Sequence, residues 1–234
     1  MNIEDFETEE RARLERNLAY AESGVKFIDI KAAYIDEGVK IGKGTVIYPL
    51  VVLEGKVEIG EDCLIGANTR IVDSTIGDRT DIWSSVILES SVGNETHVGP
   101  FAYMRPNSHV GSGCKVGDFV EVKNSTMGDG AKSSHLTYIG DSDVGERVNL
   151  GCGVVFVNYD GTKKFRSVVE DDAFIGCNSN LISPVRIGKK SYVGAGSTIT
   201  RDVPDGSLYI ERAKPKVLEG WVERTGKLDK DKSK

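Results

Sequence analysis

The sequence predicts an all-β fold, a parallel β-helix with a short N-terminal α-helix and an irregular C-terminal tail. Aliphatic–glycine dipeptides recur along the chain, among them Ile41-Gly42, Ile59-Gly60, Ile65-Gly66, Val92-Gly93, Val98-Gly99, Val110-Gly111, Val116-Gly117, Ile187-Gly188 and Val193-Gly194, and most neighbours stand six residues or a multiple of six apart. Glycine is abundant (27 residues) and proline scarce (6) in a chain of 234. The pulse runs from about Tyr34 to about Val203, so one elongated domain takes most of the chain. A helix buries positions near multiples of 3.6 and a plain strand every second residue, so a six-residue pulse fits neither alone. It fits a short strand and a corner, three of which close one triangular coil. The aliphatic residue points into the prism, and the glycine lets the chain bend without a Cβ clash. Such coils stack as parallel strands roughly 4.8 Å apart.

Residues 1–24 form the first unit. Positions 4 to 22 read as a helix, with Leu14, Leu18 and Ala21 at i, i+4 and i+7 of a charged segment and Ser23-Gly24 as its end. This helix can cap the first coil, whose strand edges and core would otherwise be open, or dock a partner. Residues 25–207 form the β-helix. The pulse is interrupted between Leu150-Gly151 and Ile175-Gly176, where Asn158-Tyr159-Asp160-Gly161 and two lysines, Lys163 and Lys164, intervene. Asp-Gly signals a turn, so this is a loop pushed out of the prism, either a solvated turn or a functional element. Residues 208–234 form a tail in which Tyr209, Ile210, Val217, Leu218 and Trp221 can pack on a neighbour. Its last stretch, KLDKDKSK, has nothing to bury and is expected to be disordered.

Composition narrows the function classes. A net charge of −6 argues against nucleic acid and anionic membrane surfaces as partners. No apolar run approaches the roughly 20 residues of a membrane span. The acidic start, MNIEDFETEERAR, lacks the apolar core of a signal peptide. Cys63, Cys114, Cys152 and Cys177 make no CxxC pair and read as reduced core or site-lining residues of a cytoplasmic protein. Of the three histidines, His97 and His109 directly precede Val-Gly corners and are expected on the surface. His135 lies in Ser-Ser-His-Leu-Thr-Tyr, where the pulse stretches, and is a candidate general base. A zinc site of the γ-carbonic-anhydrase kind needs a close histidine pair. Spacings of twelve and twenty-six do not resemble it, so no metal site is expected.

Several strings exceed what the repeat requires: GPFAYMRP, GDFVEVKNS, SHLTYIGD, VNLGCG, NYDG, FIGCNSNLISPV and GAGSTITRDVP, with IERA and EGW near the end. Together they closely resemble the acetyltransferase domain of the bacterial bifunctional enzyme that makes UDP-N-acetylglucosamine, over nearly the whole chain. The uridyltransferase motif of that enzyme has no match here, and the first helix resembles its interdomain linker. Whether the chain is a stand-alone product or an excised domain stays open.

The resemblance implies a left-handed coil and acetyl-CoA-dependent N-acetylation of glucosamine 1-phosphate. It assigns His135 as general base for direct attack of the amine on the thioester, so no covalent intermediate is needed. Glu121 matches the carboxylate that supports the base. Arg105, Lys123 and Lys164 match the cations that grip the sugar phosphate, where charge-assisted bonds are strong. Tyr138 and Asn149 match sugar and phosphate contacts, and Asn158 and Tyr159 match residues near the amine and acetyl group. Cys152 matches a backbone donor near the thioester carbonyl. Cys177 and Ala195 match positions along the pantetheine arm, and Arg212 a basic residue near the CoA 3′-phosphate.

One departure stands out. The family's Gly-Thr-x-Thr before Asn-Tyr-Asp-Gly is here Gly153-Val154-Val155-Phe156-Val157. If Val154 and Phe156 point inward the change repacks the core; if they face the acyl channel, hydroxyl contacts are lost. A flat-sided prism has no deep cleft, and the resemblance implies a homotrimer with CoA lying between prisms and Arg212 reaching a neighbour. Two other readings remain: an acetyltransferase for another amino-sugar phosphate or nucleotide-linked amino sugar, and a non-catalytic β-helix partnering a separate nucleotidyltransferase.

Overall fold

The computed structural model describes residues 3–226; the disorder expected of KLDKDKSK concerns residues outside these. Short strands gather into three parallel sheets of eleven, ten and nine strands, one sheet per face of a triangular prism. The first face runs from Lys26–Phe27 to Leu208–Tyr209, the second from Tyr34–Ile35 to Thr198–Ile199, and the third from Lys40–Ile41 to Arg186–Ile187. Neighbouring coils are held in register, so inward residues form columns: Ile47 on Ile65, Ile65 on Ile82, Ile82 on Val98. Each of these is fully buried, and burial of each such side chain is worth about 1.5–3 kcal/mol.

The corner glycines are required where coils touch. A Cβ on Gly42 would stand 2.4 Å from the Gly60 carbonyl of the next coil. Cys63 and Cys114 are buried scaffold residues whose thiols donate to the carbonyls of Gly77 (3.0 Å) and Gly128 (3.1 Å). His109 is exposed beside Ser91, whereas His97 is half-buried and hydrogen-bonded to Asp81.

The N-terminal helix, α1 (Ile3–Glu22), lies against the first coil, but not by the face the apolar spacing suggested. Leu18 and Ala21 are exposed. The docking residues are polar. Arg13 donates to the carbonyls of Lys31 and Ala33, Arg16 to that of Ile35, Asn17 to those of Ile30 and Ala33, and Tyr20 to that of Val39. The reason lies at the open edge of the ladder. The first coil bonds to the next in both directions, Lys26 donating to the Thr45 carbonyl and Leu50 donating back to that of Ala32. On its open edge the carbonyls of Ile30, Lys31, Ala33, Ile35 and Val39 have no coil before them, and the helix supplies their donors.

At the other end, Leu208–Tyr209 pairs with Tyr192–Val193, carrying the first face two residues past the expected boundary at 207 without a further corner glycine. The first face also lengthens at mid-prism. Lys115–Asp118 and Lys132–His135 have four residues each, against two in the flanking His97–Val98 and Asn149–Leu150.

Candidate active site

Four of the expected site residues share one patch of the second face. Tyr103, Glu121 and Tyr138 stack in register, and Arg105 lies beside Lys123 in the adjacent outward column. Arg105 Nη1 donates to Glu121 Oε1 at 3.0 Å, with both side chains partly open to solvent. That hydrogen bond raises the Arg105 pKa further. Lys123 Nζ reaches both oxygens of Asp141 at 2.9 Å. Burial is the strongest single influence and opposes the charge on Lys123, but its neighbours together, Asp141 foremost, outweigh this and raise its pKa. Asp141 is likewise penalised by burial, yet hydrogen bonds from Asn124, Lys123 and Asn158 hold its carboxyl below the usual range. Tyr138 folds across its own strand: a Cβ on Gly140 would meet its hydroxyl at 2.4 Å. Gly140 is thus not a corner, as the repeat suggested, but the bare floor on which the Tyr138 ring lies.

The interruption is an excursion from the corner between the second and third faces. It leaves after Val155–Val157 and returns at Ser167–Val169. Asn158 at its base is buried and donates to Asp141 and to the Tyr138 hydroxyl. Tyr159 and Lys164 form an antiparallel bridge, closed by a turn in which Asp160 Oδ1 accepts from the N–H groups of Thr162 and Lys163. This brings Lys164 to Lys123, with which it interacts. Arg166 pins the returning limb to Asp143 and to the Asn124 and Ser142 carbonyls.

His135 stands where the lengthened first face turns toward the second. Its Nδ1 lies 2.6 Å from Asp118 Oδ1, its register partner one coil earlier. Hydrogen bonding to His135 holds the Asp118 carboxyl below its ordinary pKa. The carboxylate on His135 is therefore Asp118. Glu121 is turned to Arg105, because its column faces Tyr103 and Tyr138 around the corner. Phe101 stacks on Phe119 (centroids 5.4 Å apart), and with Leu136 they form an exposed apolar ridge along the same corner.

From His135 a column runs toward the C-terminal end of the prism. Ser133 pairs with Leu150, so His135 is followed by Cys152 in the next coil. Leu150 pairs with Ile175 and Ile175 with Val193, so Cys177 and Ala195 follow in turn. At roughly 4.8 Å per coil the column from His135 to Ala195 extends about 14 Å. Arg212 folds back over its own chain at the far end, its guanidinium 3.6 Å from where a Cβ on Gly194 would stand. Cys152 is half-buried, Cys177 exposed, and both are free thiols. Asn149 stands apart on the first face, between Lys132 and Phe174. Val154 and Phe156 both point into the core with no exposure, so their departure from the family pattern is a change of packing.

Sequence reading missed Asp118, Asn124, Asp141 and Arg166. A signal was present, because one coil is 16 to 18 residues. Arg105 and Glu121 are 16 apart, Asp118 and His135 17, Lys123 and Asp141 18.

Comparison with known proteins agrees with the repeat and the fold. The family model described as bacterial transferase hexapeptide (six repeats) matches residues 38–73 and 166–201. The chain is 53% identical over 232 residues to the bifunctional protein GlmU of Clostridioides difficile (strain 630), covering 99% of this chain and 50% of that protein. It is 54% identical over 213 residues to the bifunctional protein GlmU of Acetivibrio thermocellus, covering 91% of this chain and 46% of that protein. Among solved structures, UDP-N-acetylglucosamine acyltransferase from Campylobacter jejuni shares the fold, with a TM-score of 0.50 and 17% identity over 87% of this chain and 81% of that one. Repeat and architecture define a hexapeptide-repeat β-solenoid. Within that class the chain resembles the C-terminal, hexapeptide-repeat part of the GlmU proteins. It spans about half the length of the curated relatives it matches.

Proposed function

We propose that the chain transfers the acetyl group of acetyl-CoA to the amine of glucosamine 1-phosphate. His135 takes the amine proton as the nitrogen attacks the thioester carbon; the new C–N bond forms, the C–S bond breaks, and CoA leaves as its thiolate. Lys123, Arg105 and Lys164 hold the sugar phosphate, with Tyr138 and Asn158 against the sugar. The pantetheine arm lies along Cys152 and Cys177 toward Ala195, and Arg212 meets the 3′-phosphate. Tyr159, on the exposed loop, borders the acetyl group. The observation that carries this reading is that the second face is bordered at one corner by the column through His135 and at the other by the cations, with Tyr138 between them. The placement of Asn149 on the first face favours a homotrimer, in which the first face of one copy meets the second face of another and completes the site. The setting proposed is cytoplasmic, with a separate nucleotidyltransferase acting on the product.

The test is release of free thiol from acetyl-CoA in the presence of glucosamine 1-phosphate. Turnover that disappears in His135→Ala supports the proposal. Turnover only with another amino sugar supports the alternative acceptor, and none with any acceptor supports a non-catalytic partner. The burial of Val154 and Phe156 removes the sequence feature that most favoured that last reading.

A further inference from the structure

We propose that Asp118 is a positioning residue for His135, fixing the imidazole as its Nδ1–H tautomer so that Nε2 is the nitrogen that accepts the amine proton. This rests on the reading of His135 as the base. Several features converge on it. The first face is lengthened in the two coils that carry this pair, and the added residues bring Asp118 and His135 into register. The Leu136 N–H donates to the Asp118 carbonyl at 2.9 Å, so backbone and side chain of Asp118 both engage the His135 turn. Phe119 and Leu136, which follow the two residues, adopt left-handed conformations with φ of 56° and 50°. Large apolar residues rarely adopt them; at the same corner Leu50 and Phe101 do so as well, while other coils use Asn68, Ser84, Gly153 and Asn178. The two turns are thus alike, and they set the two side chains one above the other.

The surrounding charges leave this task to Asp118. Lys115, on the same strand, favours its ionised form. Cys152 flanks His135 on the other side, and Tyr138 lies around the corner with Glu121, which Arg105 engages. Among the described residues no other carboxylate hydrogen-bonds the imidazole, and Nε2 makes no hydrogen bond. An ionised Asp118 accepts from Nδ1–H in the resting state. It also stabilises the imidazolium formed while Nε2 holds the amine proton, and it remains ionised throughout.

The experiment compares wild type, Asp118→Asn, Asp118→Ala and His135→Ala as full chains, by histidine ¹⁵N NMR titration and by steady-state kinetics across pH. Wild type is expected to show neutral His135 as the Nδ1–H tautomer. In Asp118→Ala the tautomer preference is lost. Its kcat falls about ten-fold, a modest loss because the pair is partly solvated, with KM for both substrates little changed. Asp118→Asn, which keeps an acceptor but not the charge, restores the tautomer and only part of kcat. Nitrogen shifts identical to wild type in Asp118→Ala overturn the proposal. Retained turnover in His135→Ala instead defeats the assignment of the base, while the nitrogen shifts still report on the pair.

Discussion

Two corners of the same prism make the useful comparison. Where the third face joins the first, successive coils repeat one interaction. Asp78 accepts from the Glu61 N–H, Asn94 from Asp78, Ser112 from Asn94, Asp129 from Ser112, Asp171 from Glu146 and Asp205 from Lys189. A short polar side chain at a fixed place braces the coil before it, along most of the prism. Around the second face the backbone keeps the same register, but the side chains stop repeating. Between Arg105 and Lys164 each coil contributes a different group, and those groups bond to one another: Arg105 to Glu121, Lys123 to Asp141, Asn158 to Asp141. The scaffold corner is built from many equivalent small contributions. The site depends on one buried carboxylate.

That contrast can be broken most sharply by deleting a carboxylate from each region. Asp141→Ala strands the nearly buried Lys123 ammonium without its counter-ion, and a loss of about 3–5 kcal/mol in unfolding free energy is expected by chemical denaturation. Asp78→Ala removes one exposed brace among many and is expected to cost about 1 kcal/mol. Equal losses would abolish the distinction.

Two glycines sharpen it next. Gly42→Ala drives a methyl into the Gly60 backbone, which only a separation of coils can relieve, and about 2–3 kcal/mol of destabilisation is expected. Gly140→Ala meets the end of the Tyr138 side chain, which can swing away. Its expected signature is a several-fold rise in KM for the sugar phosphate, with a melting temperature close to wild type.

Acidification provides a smaller contrast. Burial works against the Asp141 charge, but hydrogen bonds from Asn124, Lys123 and Asn158 hold its folded pKa below the ordinary 3.8. Its contribution is therefore complete above about pH 4 and is lost as pH falls through the folded value. Asp143, held down by Arg166, behaves in the same sense. Asp141→Asn should flatten the dependence of stability on pH below about 4, seen by circular dichroism during acid titration. Smallest is Ser133→Ala. The Ser133 hydroxyl is buried without a hydrogen-bond partner beneath the His135 strand, and its removal is expected to raise stability by up to about 1 kcal/mol.

The six-residue pulse made the prism legible because each Ile or Val and its glycine has one place to go. The candidate site was legible where long strings exceeded the repeat, as at Arg105, Lys123 and His135. What stayed hidden was pairing. Asp118 and Asp141 look like ordinary turn residues until one asks what stands a coil away. The face of α1 was misread for a related reason: apolar spacing finds a helix that covers a core, whereas the end of this prism exposes carbonyls, and Arg13, Arg16, Asn17 and Tyr20 answer them.

That helix has a further consequence. A stack of parallel coils ends in an edge of unpaired backbone groups, so two such stacks could join end to end and keep growing. With α1 bonded across the first edge, that end is shut and the prism keeps a finite length; stripped of α1, it should grow into filaments.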